Sequence, residues 1–135
     1  MLQQTQVKTV IPYFKNFVKK VPTLKALSKS SEKKILKLWE GLGYYRRARH
    51  LHKTSKILVN NYKNKIPKNF EEIIKLPGIG EYTANILLAL IYNQPRIGID
   101  GNVKRVFLRL FNKSLDSSNE KRKLFLYKSF SNNRS

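Results

Sequence analysis

The stretch from Leu76 to Asp100, LPGIGEYTANILLALIYNQPRIGID, constrains the fold more than any other part of the sequence. It opens with Pro77-Gly78-Ile79-Gly80, where glycine permits a sharp turn and a close approach of the backbone to a ligand. The main-chain amides of such a turn can face a phosphate group. The segment Thr83 to Tyr92 then carries apolar residues on every side of a helical wheel, which predicts a helix buried in a core.

Helical patterns continue on both sides of this stretch and no β-strand is predicted, so the expected fold class is all-α. A first helix is expected to begin at Met1 and to kink or restart at Pro12. A short helix after Asn69 leads into the glycine turn, which gives a helix-hairpin-helix motif over about residues 70–92. Further helices are predicted over residues 23–30, 31–39 and 44–62, and again beyond Asp100.

The charge of the chain favours a polyanionic partner. The 28 lysine and arginine residues outnumber the 8 acidic ones, for a formal charge of +20. A patterned chain that is 41% hydrophobic is not a disordered basic tail, so nucleic acid is the leading class of partner. An anionic membrane surface competes, but no secretory, transmembrane or lipidation motif is visible. We therefore expect no membrane partner and a cytoplasmic, nucleoid-associated location.

Four stretches resemble one family. They are MLQQT from Met1, GLGYYRRARHLHK from Gly41, LPGIGEYTA from Leu76 and IDGNVKRV from Ile99. In this order and spacing they resemble the MutY family of A/G-specific adenine DNA glycosylases, in the helix-hairpin-helix superfamily that includes endonuclease III. The resemblance covers about residues 1–112 and implies a six-helix barrel module over residues 1–93. Residues 94–135 would be a remnant of a second, iron-sulfur-side helical domain that carries Asp100, with a poorly matched tail over 113–135.

The resemblance implies hydrolysis of the N-glycosidic bond of adenine mispaired with 8-oxoguanine or guanine, at the start of base excision repair. The partner would be double-stranded DNA with such mispairs, bound by a monomer. Because the adenine must leave the base stack, the protein must fill the vacated space and hold the backbone. By resemblance, Gln4 and Tyr44 enter the stack and Thr5 lies beside the opposite base. The alternatives are that Gln4 is a solvated helix residue and Tyr44 a core aromatic residue.

Two groups of residues are expected to hold the DNA backbone. Gly78, Ile79 and Gly80 would bind a phosphate through their main-chain amides and the positive end of the following helix. Arg46 and Arg47 would add phosphate contacts, which make binding depend more steeply on salt. The alternative for either arginine is a place on a solvated charged face.

Asp100, Tyr82 and Asn102 are the catalytic candidates. A carboxylate at Asp100 can stabilise the oxocarbenium-like sugar cation or attack it, while the plainer alternative is an N-cap of the next helix. Asn102 would order Asp100 or the sugar. Tyr82 stands where bifunctional relatives place a Schiff-base lysine, so a monofunctional glycosylase is expected. Its alternative role is packing at the start of the helix.

Two departures from the family pattern lower the activity expected of this chain. The family's general-acid glutamate precedes the position of Met1, and its four-cysteine 4Fe-4S site lies beyond the position of Ser135. The resemblance therefore implies truncation at both ends, no cofactor in a chain without cysteine, and poor catalysis. An endonuclease III-like glycosylase and a non-catalytic duplex-DNA-binding module remain the alternatives.

Overall fold

The computed structural model describes residues 1–2 and 4–110. Every regular element in those residues is a helix, which confirms the all-α prediction. The helices are α1 (Val7–Lys20), α2 (Leu24–Lys29), α3 (Glu32–Trp39), α4 (Arg46–Asn61), α5 (Phe70–Ile73), α6 (Glu81–Tyr92) and α7 (Gly101–Leu110). None of these helices is both long enough and apolar enough to cross a bilayer.

Contacts divide the chain into two compact units, residues 1–78 and 79–135. The predicted boundary after residue 93 rests on the resemblance and stays a prediction. The predicted tail over 113–135 lies outside the described residues.

The core of the first unit forms around Trp39, at the end of α3. Its side chain is only 1% exposed, and the ring of Phe17 meets it edge-on with the ring centroids 6.0 Å apart. Helix α4 packs against α2 and α3, and α1 packs against α3. The helix starts follow from the sequence, because Thr23 accepts a hydrogen bond from the Ala26 amide and Ser31 one from the Lys34 amide.

The predicted start of the first helix at Met1 is wrong, since α1 begins at Val7. The Thr5 amide donates to the Leu2 carbonyl, and Gln4 between them has a φ of 58°, in the left-handed region. This turn is fixed by contacts with α4, which local helix propensity cannot reveal. Of the predicted kink or restart at Pro12, the restart is wrong, because α1 runs through this residue as one helix, and the kink stays a prediction. Val10 and Phe17, on either side of Pro12, are both buried.

In the second unit, α6 is less buried than predicted. Ala84 and Leu88 are fully buried, whereas Leu90 is 80% exposed and Ile91 is also exposed. The expectation of a helix covered on every side is therefore wrong for the described part of the chain. Apolar composition around the whole helix does not specify which side is covered. The helix ends at Asn93, whose positive φ of 49° is a common way to stop a helix.

Candidate functional site

Gln4 and Tyr44 lie far apart in sequence but line one groove of the first unit. This groove has a volume of about 570 Å³ and is lined by Gln4, Tyr44, Arg46, Arg47 and His50. Both Gln4 and Tyr44 have backbone conformations in the left-handed region, with φ of 58° and 49°. Such a conformation costs an ordinary residue about 1–2 kcal/mol. Because strained residues cluster at functional sites, the two conformations support this groove as a candidate functional site.

The two plainer alternatives for these residues are excluded by their surroundings. Gln4 lies in a turn before α1 and not on a helix. Tyr44 is 60% exposed, so it is not a core aromatic residue. Both side chains are accessible to a partner that enters the groove.

Arg47 connects the two strained turns. Its Nη1 donates to the Met1 carbonyl at 2.7 Å, and its Nη2 donates to Thr5 Oγ1 at 3.0 Å. Nη2 also lies 3.4 Å from the Gly43 carbonyl, directly before Tyr44. Burial and the charge of Arg47 both lower the pKa of the Met1 amino group. The guanidinium is therefore engaged with the protein, and its predicted phosphate contact stays a prediction.

Two aromatic rings complete the surroundings of Arg47. The guanidinium carbon lies 5.2 Å from the centroid of the Tyr44 ring and 5.7 Å from that of Trp39. These distances are within the range of a cation–π interaction. Trp39 also donates from its indole nitrogen to the Gly43 carbonyl at 3.2 Å. Arg47 thus contacts both the buried Trp39 and the exposed Tyr44.

The first turn of α4 is strongly cationic. It contains no acidic residue and has no side-chain cap, although the helix begins with Arg46 and Arg47. Because the N-terminal end of a helix is positive, cations there are unfavourable and an anion is favoured. Arg46 is exposed at this end, whereas Arg49 forms an ion pair with Glu32 at 3.0 Å. Arg46 is therefore the arginine of this turn that is best placed to meet an anionic partner.

His50 is a groove residue that the sequence did not single out. It lies one helical turn after Arg46 and Arg47, and this spacing of four and three residues is a signal that could have identified it. Its other side packs against Gly78, where an added Cβ would lie 2.7 Å from His50 Cβ and 2.8 Å from Nδ1. Gly78 also has a φ of 77°. Glycine at position 78 is thus required by both conformation and space.

The glycine turn is anchored to α4 within the first unit. Thr54, one turn after His50, donates from its hydroxyl to the Pro77 carbonyl at 2.9 Å. After Ile79, Gly80 precedes the first residue of α6 and accepts a hydrogen bond from the Ala84 amide at 2.9 Å. Phosphate binding by Gly78, Ile79 and Gly80 stays a prediction.

Asp100 is the N-cap of α7. Its Oδ1 accepts hydrogen bonds from the amides of Asn102, at 2.9 Å, and Val103, at 2.7 Å. The capping alternative is therefore confirmed, and these bonds fix the carboxylate at the start of the helix. The Asn102 side chain accepts a hydrogen bond from Arg105. The contact between Asn102 and Asp100 is made by the main-chain amide of Asn102. The catalytic roles of Asp100 and Asn102 stay predictions.

Tyr82 lies in the first turn of α6 and is 44% exposed. A Cβ added to Gly98 would lie 2.9 Å from Tyr82 Cε2 and 2.5 Å from Ile86 Cγ1. The ring therefore packs against the backbone at Gly98, as the packing alternative expects, while part of it faces solvent. The predicted site residues thus group as Gln4, Thr5, Tyr44, Arg46 and Arg47 in the first unit and Tyr82, Asp100 and Asn102 in the second.

The residues of this chain do not fit the 4Fe-4S cluster that the resemblance implies for the family. The 135 residues contain no cysteine, so no thiolate ligand is supplied. Among the described residues, no group of three or more histidine or acidic side chains is placed to hold a metal ion.

Comparison with known proteins identifies relatives of the chain. The HhH-GPD superfamily base excision DNA repair protein family matches residues 1–131. An adenine DNA glycosylase of Buchnera aphidicola subsp. Baizongia pistaciae (strain Bp) is 49% identical over 117 residues, which are 87% of this chain and 33% of that protein. The adenine DNA glycosylase of Homo sapiens is 40% identical over 111 residues, which are 82% of this chain and 20% of that protein. The chain thus spans a third or less of these relatives.

Solved structures show the same fold. A trapped endonuclease III–DNA covalent intermediate has a TM-score of 0.82 at 25% identity, over 96% of this chain and 64% of that one. A thermostable thymine-DNA glycosylase has a TM-score of 0.82 at 26% identity, over 97% of this chain and 60% of that one. The predicted helix-hairpin-helix glycosylase fold is confirmed by these matches.

Proposed function

The chain belongs to the HhH-GPD superfamily of base excision DNA repair proteins, and we propose that it acts in adenine excision from DNA. It binds duplex DNA in which adenine lies opposite 8-oxoguanine or guanine. It takes part in hydrolysing the N-glycosidic bond of that adenine. The relatives named adenine DNA glycosylase support this choice within the superfamily.

The observation that carries the proposal is the groove with Gln4 and Tyr44 at its edge. Removing a base from the stack costs a few kcal/mol, so the protein must replace lost stacking and hydrogen bonds. The Tyr44 ring offers a flat face on which a base can stack. The Gln4 side chain offers both a donor and an acceptor to a base edge. Their left-handed conformations support this role, because the turns that hold them keep the side chains exposed.

Backbone contacts supply affinity without sequence preference. Arg46, at the N-terminal end of α4, contacts a phosphate on one side of the groove. Gly78, Ile79 and Gly80 contact another phosphate through their amides. Each phosphate neutralised steepens the dependence of log K on log salt concentration by about 0.9. The formal charge of +20 supports binding that falls steeply with salt.

Asp100 stabilises the reacting sugar. When the bond between C1′ and the adenine nitrogen breaks, the electron pair leaves with adenine and positive charge develops on the sugar. The Asp100 carboxylate, held by two amide hydrogen bonds, stabilises that charge until water adds at C1′. The departing adenine nitrogen takes a proton from solvent, and the water that adds at C1′ returns one to solvent. Asn102 keeps Asp100 in place through its main-chain amide. Tyr82 cannot form an imine with the sugar, so base release is not followed by β-elimination and strand cleavage.

The proposal is tested by titrating the chain with fluorescent duplexes that differ at one pair. We expect a duplex with adenine opposite 8-oxoguanine to bind at least roughly tenfold more tightly than one with a thymine–adenine pair, a difference of about 1.4 kcal/mol. Tyr44→Ala removes the preference, whereas Tyr62→Phe, a distant tyrosine on the same unit, retains it. Equal affinity for the two duplexes would refute the proposal. A duplex with an oxidised pyrimidine, bound most tightly of all, would indicate an endonuclease III-like specificity instead.

A further inference from the structure

We propose that Arg47 is a positioning residue that holds the Gln4 turn and the Tyr44 turn in the arrangement needed to enter the DNA stack. The inference rests on the proposed function, because it assumes that Gln4 and Tyr44 meet the base pair. It assigns Arg47 a role inside the protein, in place of the phosphate contact expected from its sequence context. Its basis is the set of contacts that this one side chain makes with both turns.

The guanidinium is suited to connecting two loops. It is planar, always charged, and carries donors in a fixed fork that no other side chain offers. In this chain the fork reaches the Met1 carbonyl and the Thr5 hydroxyl, on either side of Gln4. The same guanidinium lies near the Gly43 carbonyl and the face of the Tyr44 ring. A single side chain therefore fixes both turns from between them.

The strained backbone explains why such a connection is needed. Residues with positive φ other than glycine persist only where the surroundings over-determine their conformation. Gln4 and Tyr44 both have positive φ, and Arg47 contacts the residues beside each of them. Trp39 supports the arrangement from the core, because it donates to the same Gly43 carbonyl and lies against the guanidinium. Without Arg47, each turn could relax independently.

The position of Arg47 in the first turn of α4 supports a structural role for its positive charge. A cation in the first helical turn is unfavourable unless other contacts compensate. Carbonyl and hydroxyl oxygens compensate here, and Arg47 is half-buried while its neighbour Arg46 is exposed. The two adjacent arginines therefore have different surroundings. Arg46 faces the solvent, whereas Arg47 faces the protein.

The test places 2-aminopurine at the target position opposite 8-oxoguanine and records its fluorescence, which rises when the base leaves the stack. We expect Arg47→Lys, which keeps the charge but loses the fork, to lower the equilibrium constant between unstacked and stacked base at saturating protein by at least roughly tenfold, the effect of losing one hydrogen bond from a charged donor. In Arg47→Met, which removes the charge, the salt dependence of binding stays that of the unmodified chain, since no phosphate contact is lost. Arg49→Lys, on the same helix but paired with Glu32, leaves the signal unchanged.

The outcomes separate this inference from the proposed function. An unchanged signal in Arg47→Lys would overturn the positioning role. A salt slope lower by about one in Arg47→Met, which removes the charge, would also overturn it and indicate a phosphate contact. A full signal in Tyr44→Ala would instead overturn the proposed role of the groove. The emission of Trp39, the only tryptophan, reports whether each variant is folded.

A second variant covers the case in which Arg47→Lys does not fold. Thr5→Val keeps the shape of the side chain but removes one acceptor of Arg47. We expect it to lower the same equilibrium constant by roughly tenfold, as for one hydrogen bond from a charged donor. An unchanged signal in Thr5→Val would contradict the inference. Where both single variants fold, Thr5→Val has no further effect in the Arg47→Lys background, because the two residues act together.

Discussion

Replacing Gly78 by alanine tests the geometry of the glycine turn in the first unit. Two separate penalties are expected. The φ of 77° is in the left-handed region, which costs an alanine about 1–2 kcal/mol. The added Cβ would also lie 2.7 Å from the Cβ of His50 and 2.8 Å from its Nδ1. Because overpacking of this kind costs about 1–3 kcal/mol, the free energy of unfolding falls by about 2–5 kcal/mol in total.

The two penalties can be separated through His50. The atom 2.7 Å away is the Cβ of His50, which cannot move by rotating the side chain. His50→Ala therefore retains the nearest contact and relieves Gly78→Ala only slightly. His50→Gly removes it, and the double variant recovers about 1–3 kcal/mol in a double-mutant cycle. Glycine at position 50 also destabilises α4 by about 1 kcal/mol. The single variant His50→Gly measures this cost, so the cycle subtracts it.

The assay is urea unfolding followed by the fluorescence of Trp39, which lies in the same unit as Gly78 and His50. Gly80→Ser is the matched control. Its backbone φ is −93° and an added Cβ meets nothing within 4 Å. Serine also caps a helix at least as well as glycine, so the stability is unchanged or slightly raised. The reasoning is refuted if Gly78→Ala lies within about 0.5 kcal/mol of Gly80→Ser, the usual scatter of a surface substitution.

Two further predictions concern the strained turn and the cap. Tyr44→Gly is expected to be more stable than Tyr44→Ala by about 1 kcal/mol, because glycine, unlike alanine, adopts the φ of 49° without strain. Urea unfolding measures this difference, and equal stabilities would contradict a left-handed residue 44. At position 100, Asp100→Asn keeps the cap while Asp100→Ala loses about 0.5–2 kcal/mol in thermal unfolding. If both unfold alike, the carboxylate does not cap α7.

The helices that the sequence placed well are those with local start signals. Thr23 and Ser31 cap α2 and α3 with hydrogen bonds to amides three residues on, and such signals are visible in a short window. The start of α1 cannot be predicted locally, because Thr5, beside Gln4, is held by Arg47, 42 residues away. The exposure of Leu90 cannot be predicted from the sequence, because the apolar character of a residue does not determine whether another element covers it.

The candidate site was partly predictable for a similar reason. Gln4 and Tyr44 can be named from motifs, and the structure places both of them in the lining of one groove. Arg47 was named for its charge, but its fork of hydrogen bonds depends on distant carbonyls that only the fold supplies. The cap at Asp100 was foreseen as an alternative, because an aspartate before a helix is a local signal. Side chains that act through local geometry can thus be predicted better than those that join distant segments.

The left-handed residues at positions 4 and 44 also limit which amino acids those positions can hold. Glycine and asparagine relieve the strain, whereas β-branched residues increase it. Neither glycine nor asparagine presents a large flat ring or a long amide side chain. The residues that would stabilise these two turns most are therefore not those suited to the proposed contact with a base. The stability of the fold and the role proposed for Gln4 and Tyr44 therefore favour different amino acids at these positions. The glutamine and tyrosine found there lower the stability of the fold relative to glycine at the same positions.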